Sequence, residues 1–184
     1  MSFNFRSNSI RSVAPSATRD ITQLARDMKN QGRDVISLSA GESDFDTPAH
    51  IGEAAKKAIV DGKTRYTAAD GIPELKEAIV QKFRRENALI YKPSEINVSP
   101  GGKPVIFNAL AGTLNPGDEV IIPAPCWVSY PGMVSLLGAK PVVIFCGSDS
   151  NFRLSAEALE AAITPQTKWV MLNSPSNPTG SAYS

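Results

Sequence analysis

Histidine and cysteine are nearly absent from this 184-residue chain, which has one histidine, His50, and two cysteines, Cys126 and Cys146. Two cysteines cannot build a disulfide framework, and their spacing matches no zinc pattern. A single histidine argues against a zinc site or a Ser-His-Asp triad formed within this chain. Sparse thiol use points to a reducing compartment, so a cytoplasmic location is expected. An excess of either charge is also lacking. Nineteen basic residues face eighteen acidic ones, for a net charge of +1, which offers no electrostatic footprint for nucleic acid or an anionic membrane. No apolar run approaches the roughly 18 residues of a membrane-spanning helix. The opening stretch, MSFNFRSNSIRSVAPSATRD, holds Arg6, Arg11 and Arg19 with no acid before Asp20. Transit peptides share that bias, but the stretch has no secretory h-region, and a plain N-terminal arm is expected.

What is present suits a soluble globular protein with a real core: 42% of residues are apolar and 20% charged. The length fits one large domain, or one domain and part of a second. Ile21, Leu24, Ala25 and Met28 recur at helical spacing, so a helix is expected from residue 18 to about 31. DVISLSAG then reads as a short strand ending at Gly41, and Pro48 stands where a helix can begin. Ile51, Ala54, Ala55, Ala58 and Ile59 form the expected buried stripe of that helix. A further helix starts near Pro73, with Leu75, Ile79 and Phe83 on its apolar face and its Lys, Arg and Glu residues solvated.

From residue 95 the rhythm changes. EINVSPGGK reads as a strand entering paired glycines, and PVIFNALAGTL as a helix with Ile106, Ala109, Leu110 and Thr113 on one side. VIIP, KPVVIFC and TKWVMLN read as strands, with helices at WVSYPGMVSLLG and SAEALEAAI between them. Near-continuous apolar strands alternating with helices predict an α/β fold built on a parallel sheet. Such sheets bind ligands beyond the carboxyl ends of their strands. Three loops leave those ends: Gly101-Gly102-Lys103, Pro125-Cys126-Trp127 and Asn177-Pro178-Thr179-Gly180. They are expected to converge on one ligand.

Each loop has a functional and a plain reading. A Gly-Gly pair before a helix can hold an anion on free N–H groups, with the helix dipole in support, or it can be only a turn. Pro104 costs little in the first turn. Trp127 can stack on a flat ligand or cap the core. Asn177 can bond a ligand oxygen or make an Asx turn, and a cis bond to Pro178 would aim it. Tyr66, in the polar loop KTRYTAADG, can reach a ligand or lie exposed.

The motifs LSAGESDFDTP, GKTRYTAADGIPELKEAI, SPGGKPVIFNAL, LNPGDEVIIPAPCWVSYPGMV and NSPSNPTG stand together in one order. In that order and spacing the chain, from about Ser12 onward, resembles class I aminotransferases, the fold-type I enzymes that use pyridoxal 5'-phosphate. The resemblance is closest to bacterial aspartate aminotransferases of the branch with aspartate/prephenate enzymes. It implies a parallel-rich sheet with helices on both faces, incomplete at residue 184. Residues 1–47 would be an arm, helix and short strand of the small domain, and 48–184 the first part of the large cofactor-binding domain. It further implies that Gly41 offers its N–H to a substrate carboxylate and that Gly102 and Lys103 hold the cofactor phosphate. Trp127 would stack on the pyridine ring, and Asn177 would bond its phenolic oxygen; both would also face the substrate. Tyr66 would reach the phosphate of a neighbouring subunit, so a homodimer with shared sites is implied, clasped in part by the N-terminal arm. The reaction implied moves an amino group between L-aspartate, or a related amino acid, and 2-oxoglutarate.

Two residues depart from the family pattern: Cys126 stands where Tyr, Ser or Thr is usual, and Pro104 follows Lys103. Family members are more than twice this length, and no lysine here sits in a context like that of the Schiff-base lysine. No catalytic residue is therefore expected in this chain, which reads as an N-terminal fragment, inactive alone. Other readings are an aromatic or other class I aminotransferase, a non-catalytic dimerisation or binding fragment, and a generic nucleotide-binding domain.

Overall fold

The structure, a computed structural model, describes residues 5–13, 17–39 and 41–183. In chain order its elements are α1 (Asn8–Ser12), α2 (Ala17–Asn30), α3 (Ala49–Val60), α4 (Pro73–Asn87), α5 (Gly102–Ala111), β1 (Glu119–Ala124), α6 (Ser129–Leu136), β2 (Lys140–Phe145), α7 (Ala156–Ala162) and β3 (Thr167–Val170). They fall into two compact units. Met1–Ser37 and Ile106–Ser184 form a sheet unit, and Leu38–Val105 a helical unit.

The sheet unit holds three parallel strands in the order β2-β1-β3. Glu119 pairs with Lys140 and Ala124 with Phe145 along one edge of β1. Along the other edge Val120 pairs with Trp169 after an irregularity beside Glu119. Val120, Ile121 and Ile122 have no exposed surface, so the apolar run VIIP marks a strand covered on both faces. On the face of Val120 and Ile122 the core gathers Leu110 of α5, Tyr130 and Val134 of α6, and Ala139. Ile106 and Leu114 extend it at helical spacing. Ala109, expected on the same side, is exposed. Thr113 is exposed as well, and its hydroxyl accepts a hydrogen bond of 2.9 Å from the Trp169 indole. Gly138 closes α6 at a φ of 77°, a left-handed turn that lets Ala139 N–H reach back to the Val134 carbonyl at 3.3 Å.

Several expectations fail for one shared reason. The stretch 34–39 forms no strand, and Ile36 and Leu38 are 87% and 94% exposed. Residues 96–98, read as a strand, are extended without a ladder after a short 3-10 turn at Pro93–Glu95. A strand requires a neighbour to complete its hydrogen bonds, and neither segment has one among the described residues. The stripe on α3 is likewise open: no residue of that helix is buried, and Ile59 is 67% exposed. Apolar spacing shows that a face wants cover but does not supply the partner. On α4, Ile79 and Phe83 are half-buried, with Phe83 edge-on to Tyr91 at 5.8 Å between ring centres. Leu75 stays exposed, whereas Lys76, read as solvated, is buried.

At the amino end of the sheet lies a buried carboxylate. Glu119 Oε1 accepts from Lys140 Nζ at 2.8 Å, and its Oε2 accepts from Thr164 Oγ1 at 2.7 Å. These bonds, first that from Lys140 and then that from Thr164, hold the Glu119 carboxyl below the usual carboxylate range. A value lowered on folding gives a contribution that is present above the unfolded value of about 4.3 and is lost as pH falls through the folded one.

Two predictions test this unit. Ile122→Ala should cost roughly 2–5 kcal/mol in urea denaturation of the chain, whereas Ile59→Ala on the open face of α3 should stay within about 0.5 kcal/mol. Equal costs would show that the core does not sit where described. Glu119→Gln should lower stability at pH 7 and flatten the acid decline below about pH 5. Urea midpoints measured from pH 7 downward check this, and an acid limb as steep as the parent's would refute the role given to Glu119.

Candidate active site

Two of the three expected loops leave neighbouring strands of the sheet unit at their carboxyl ends. After Ala124, a cis bond to Pro125 leads through Cys126 and Trp127 into α6. Trp127 is half-buried at the fringe of the core and meets Tyr130 edge-on, with 5.4 Å between ring centres. Its packing reading is thus realised on one side, and half-burial leaves part of the ring open. Cys126 and Tyr130 border a small cleft with Asn173, Ser176 and Tyr183. Burial pushes the Cys126 thiol up, and it raises the Tyr130 phenol too, with the Cys126 charge as a second cause. Both groups are therefore held in their neutral forms at pH 7.

The loop beyond β3 is tied to itself. Ser176 N–H donates to the Ser181 carbonyl at 2.8 Å, and Gly180 N–H donates to the Ser176 carbonyl at 2.8 Å. Gly180 has a φ of 71°, which only glycine adopts without steric cost. Tyr183 N–H donates to Ser174 Oγ at 3.0 Å, and the Tyr183 hydroxyl accepts from Leu154 N–H at 2.9 Å. The Asn177–Pro178 bond is cis. The Asn177 side chain makes no Asx turn among the described residues. Instead, Asn173 Oδ1 accepts the Asn177 N–H at 2.8 Å, four residues on, and ties that loop back to its start. The Asn177 side chain is exposed and has no hydrogen-bond partner among the described residues. Sequence reasoning passed over Asn173, although an Asn at a strand end before Ser-Pro carries a turn signal. Tyr130 had only its helical spacing from Trp127 to mark it.

The other candidate residues lie in the helical unit. Gly41 and Tyr66 are exposed, Tyr66 fully so. Gly101 turns at a φ of 95° and donates its N–H to the Ser99 carbonyl at 2.8 Å. Gly102 and Lys103 then open α5, with Pro104 inside its first turn. A side chain added at Gly41, Gly101 or Gly102 would meet no atom within 4 Å, so a ligand can approach the backbone there. The first N–H groups of a helix have no partner within it. Beside them Lys103 adds a positive charge.

A phosphate, an aromatic ring and a ring oxygen each find a suitable donor set in one unit or the other. Glycine N–H groups and Lys103 suit the phosphate. The part-open indole suits a ring, and the unpartnered amide of Asn177 suits an oxygen. The residues therefore fit pyridoxal 5'-phosphate piece by piece. Among the described residues no group of His, Cys, Asp and Glu could hold a metal ion, and no helix is long and apolar enough to cross a membrane.

Comparison with known proteins bears on the same reading. Residues 33–184 match the family model "Aminotransferase class I and II". The chain is 59% identical over 179 residues to an aspartate/prephenate aminotransferase of Cereibacter sphaeroides, covering 97% of this chain and 45% of that protein. It is 56% identical over 175 residues to an aspartate aminotransferase of Rhizobium meliloti, covering 95% and 43%. A crystal structure of the aspartate aminotransferase from Rhizobium meliloti superposes with a TM-score of 0.94 at 54% identity, covering 100% of this chain and 46% of that one. Aspartate aminotransferase from Thermus thermophilus with maleate gives a TM-score of 0.95 at 45% identity, covering 99% and 48%. The chain thus spans less than half the length of these relatives. With a family match over most of its length and the same α/β architecture throughout, the chain belongs to the class I and II aminotransferases.

Proposed function

We propose that this chain contributes the cofactor-pocket walls of an aminotransferase that moves an amino group between L-aspartate, or a related amino acid, and 2-oxoglutarate. The observation that carries this reading is the arrangement at the sheet's carboxyl ends. Asn173 ties back the Asn177 N–H, and the Asn177 side chain stands exposed with no partner among the described residues, one strand away from a half-buried Trp127. An exposed amide is solvated and can exchange that water for a ligand oxygen. Pyridoxal 5'-phosphate, when bound, supplies an electron-accepting ring. Trp127 stacks against that ring and fixes its plane, while Asn177 donates a hydrogen bond to the ring oxygen. Gly102 N–H and Lys103 anchor the phosphate, and Gly41 N–H receives the substrate carboxylate. In a homodimer with shared sites, Tyr66 reaches the phosphate bound by the partner subunit. Residues 1–47 serve as arm and small-domain portion, and 48–184 as the first part of the large domain.

None of these residues is placed to carry the proton transfers of the reaction, since no lysine among them faces the substrate in this reading. The isolated chain should accordingly bind pyridoxal phosphate without turning over aspartate. Binding is checked by equilibrium dialysis and by the cofactor absorbance band, with borohydride reduction to test for covalent attachment. Trp127→Ala should weaken binding about tenfold or more, as expected when an aromatic stack worth about 1–3 kcal/mol is removed. Failure of the parent chain to bind, or covalent fixation with amino-acid turnover, would overturn the respective half of the proposal.

A further inference from the structure

A buried cation lies in the helical unit, outside the groups assigned so far. Lys76, in the first turns of α4, is only 9% exposed, although lysine is among the residue types least often buried. Its ammonium donates to the carboxylate of Asp70, with which it forms an ion pair. Burying such a charge is costly unless it is paired, so the pair marks a place where position matters. Asp70 is also engaged through its backbone, its carbonyl accepting the Val98 N–H at 3.0 Å. Gly71, next along, has a φ of 107°, and a Cβ added there would lie 2.7 Å from Val98 Cγ2. Only glycine allows the two segments to approach so closely. Lys76, Asp70, Gly71 and Val98 thus form a knot that joins two stretches with no ladder between them.

Those stretches carry candidate ligands of the site proposed above. Tyr66 lies four positions before Asp70, and Gly102 and Lys103 lie four and five positions after Val98. We infer that Lys76 is a positioning residue: by holding Asp70 it locks the Tyr66 loop to the segment that delivers Gly102 and Lys103 to the phosphate. The mechanism is indirect, through the backbone of Asp70 and Val98. A loop without regular secondary structure gains fixed geometry chiefly from such side-chain anchors, and a displacement of 1 Å at a binding group is enough to lose it. This inference rests on the cofactor reading of the Gly102 turn.

The test compares pyridoxal phosphate with pyridoxal, which lacks the phosphate, as probes of the 184-residue chain in equilibrium dialysis. The ratio of the two affinities isolates the phosphate contribution from ring binding and from overall folding. Lys76→Met and Asp70→Asn should each reduce that ratio about tenfold, the size expected on losing a charge-assisted bond, whereas Lys76→Arg should hold it within about twofold. Hydrogen exchange at the Val98 amide should quicken in Lys76→Met while the β1 amides keep their protection, which also shows that the variant folds. If the parent prefers the phosphate and both charge-removing variants keep that preference, the positioning role is wrong. Loss of the ratio in Lys76→Arg as strongly as in Lys76→Met would assign the effect to packing and refute it equally. A parent chain with no preference for the phosphate overturns the cofactor reading of the Gly102 turn, and the role of Lys76 falls with it.

Discussion

The double pairing of β1 is the constraint from which the sheet unit follows. A parallel strand with neighbours on both edges has its backbone groups consumed by ladders, and its side chains must be apolar on both faces. Val120, Ile121 and Ile122 meet that demand without residual exposure. Once β1 is fixed, β2 and β3 point the same way, and their carboxyl ends lie side by side with its own. Every candidate ligand in this unit hangs from those ends. The position of Trp127 is therefore set by three consecutive buried apolar residues.

The two ends of the sheet divide the polar work. At the amino end Lys140 and Thr164 both bond Glu119, so that a buried carboxylate is compensated where β1 starts beside β2. At the carboxyl end the backbone is tied down by Asn173, Ser176, Ser181 and Tyr183, while the Asn177 amide stays unpartnered among the described residues. Net hydrogen-bond energy is small when both partners are present, yet an unmet polar group is costly when it is covered. An exposed amide avoids that cost until a ligand arrives.

Much of this was legible in residues alone. The strands at VIIP, KPVVIFC and TKWVMLN announced themselves by apolar continuity, and the helices between them by spacing. The loop at Asn177-Pro178 was marked as a turn, and its X–Pro bond, whose cis form was weighed as a possibility, is cis. What failed was whatever depended on a partner. Ile36, Leu38 and Ile59 look like buried residues to any pattern that counts apolar spacing, but burial is a property of a pair of surfaces. The segments 34–39 and 96–98 have strand composition and no ladder, because pairing is decided by what lies alongside. The same logic hid Asn173, whose value lies in the bond it makes to Asn177 four residues later.

Lys76 shows the opposite error and its cause. In sequence it belongs to an alternation of charged and apolar residues that reads as a wet helical face, and for its neighbours that reading holds. The exception arises because the chain arriving at α4 folds Asp70 and Gly71 back onto Val98, close enough to cover one turn of the helix. A glycine at positive φ is what makes the approach possible, and a lysine is long enough to cross beneath it to the carboxylate. Had the covered residue been apolar, the contact would be closed but free to slide, since dispersion has no preferred partner. A charge-assisted bond has one, and it fixes the loop in a single register. On the positioning role proposed for Lys76, the pair serves definition more than stability, and definition is what the proposed phosphate contact at Gly102 requires.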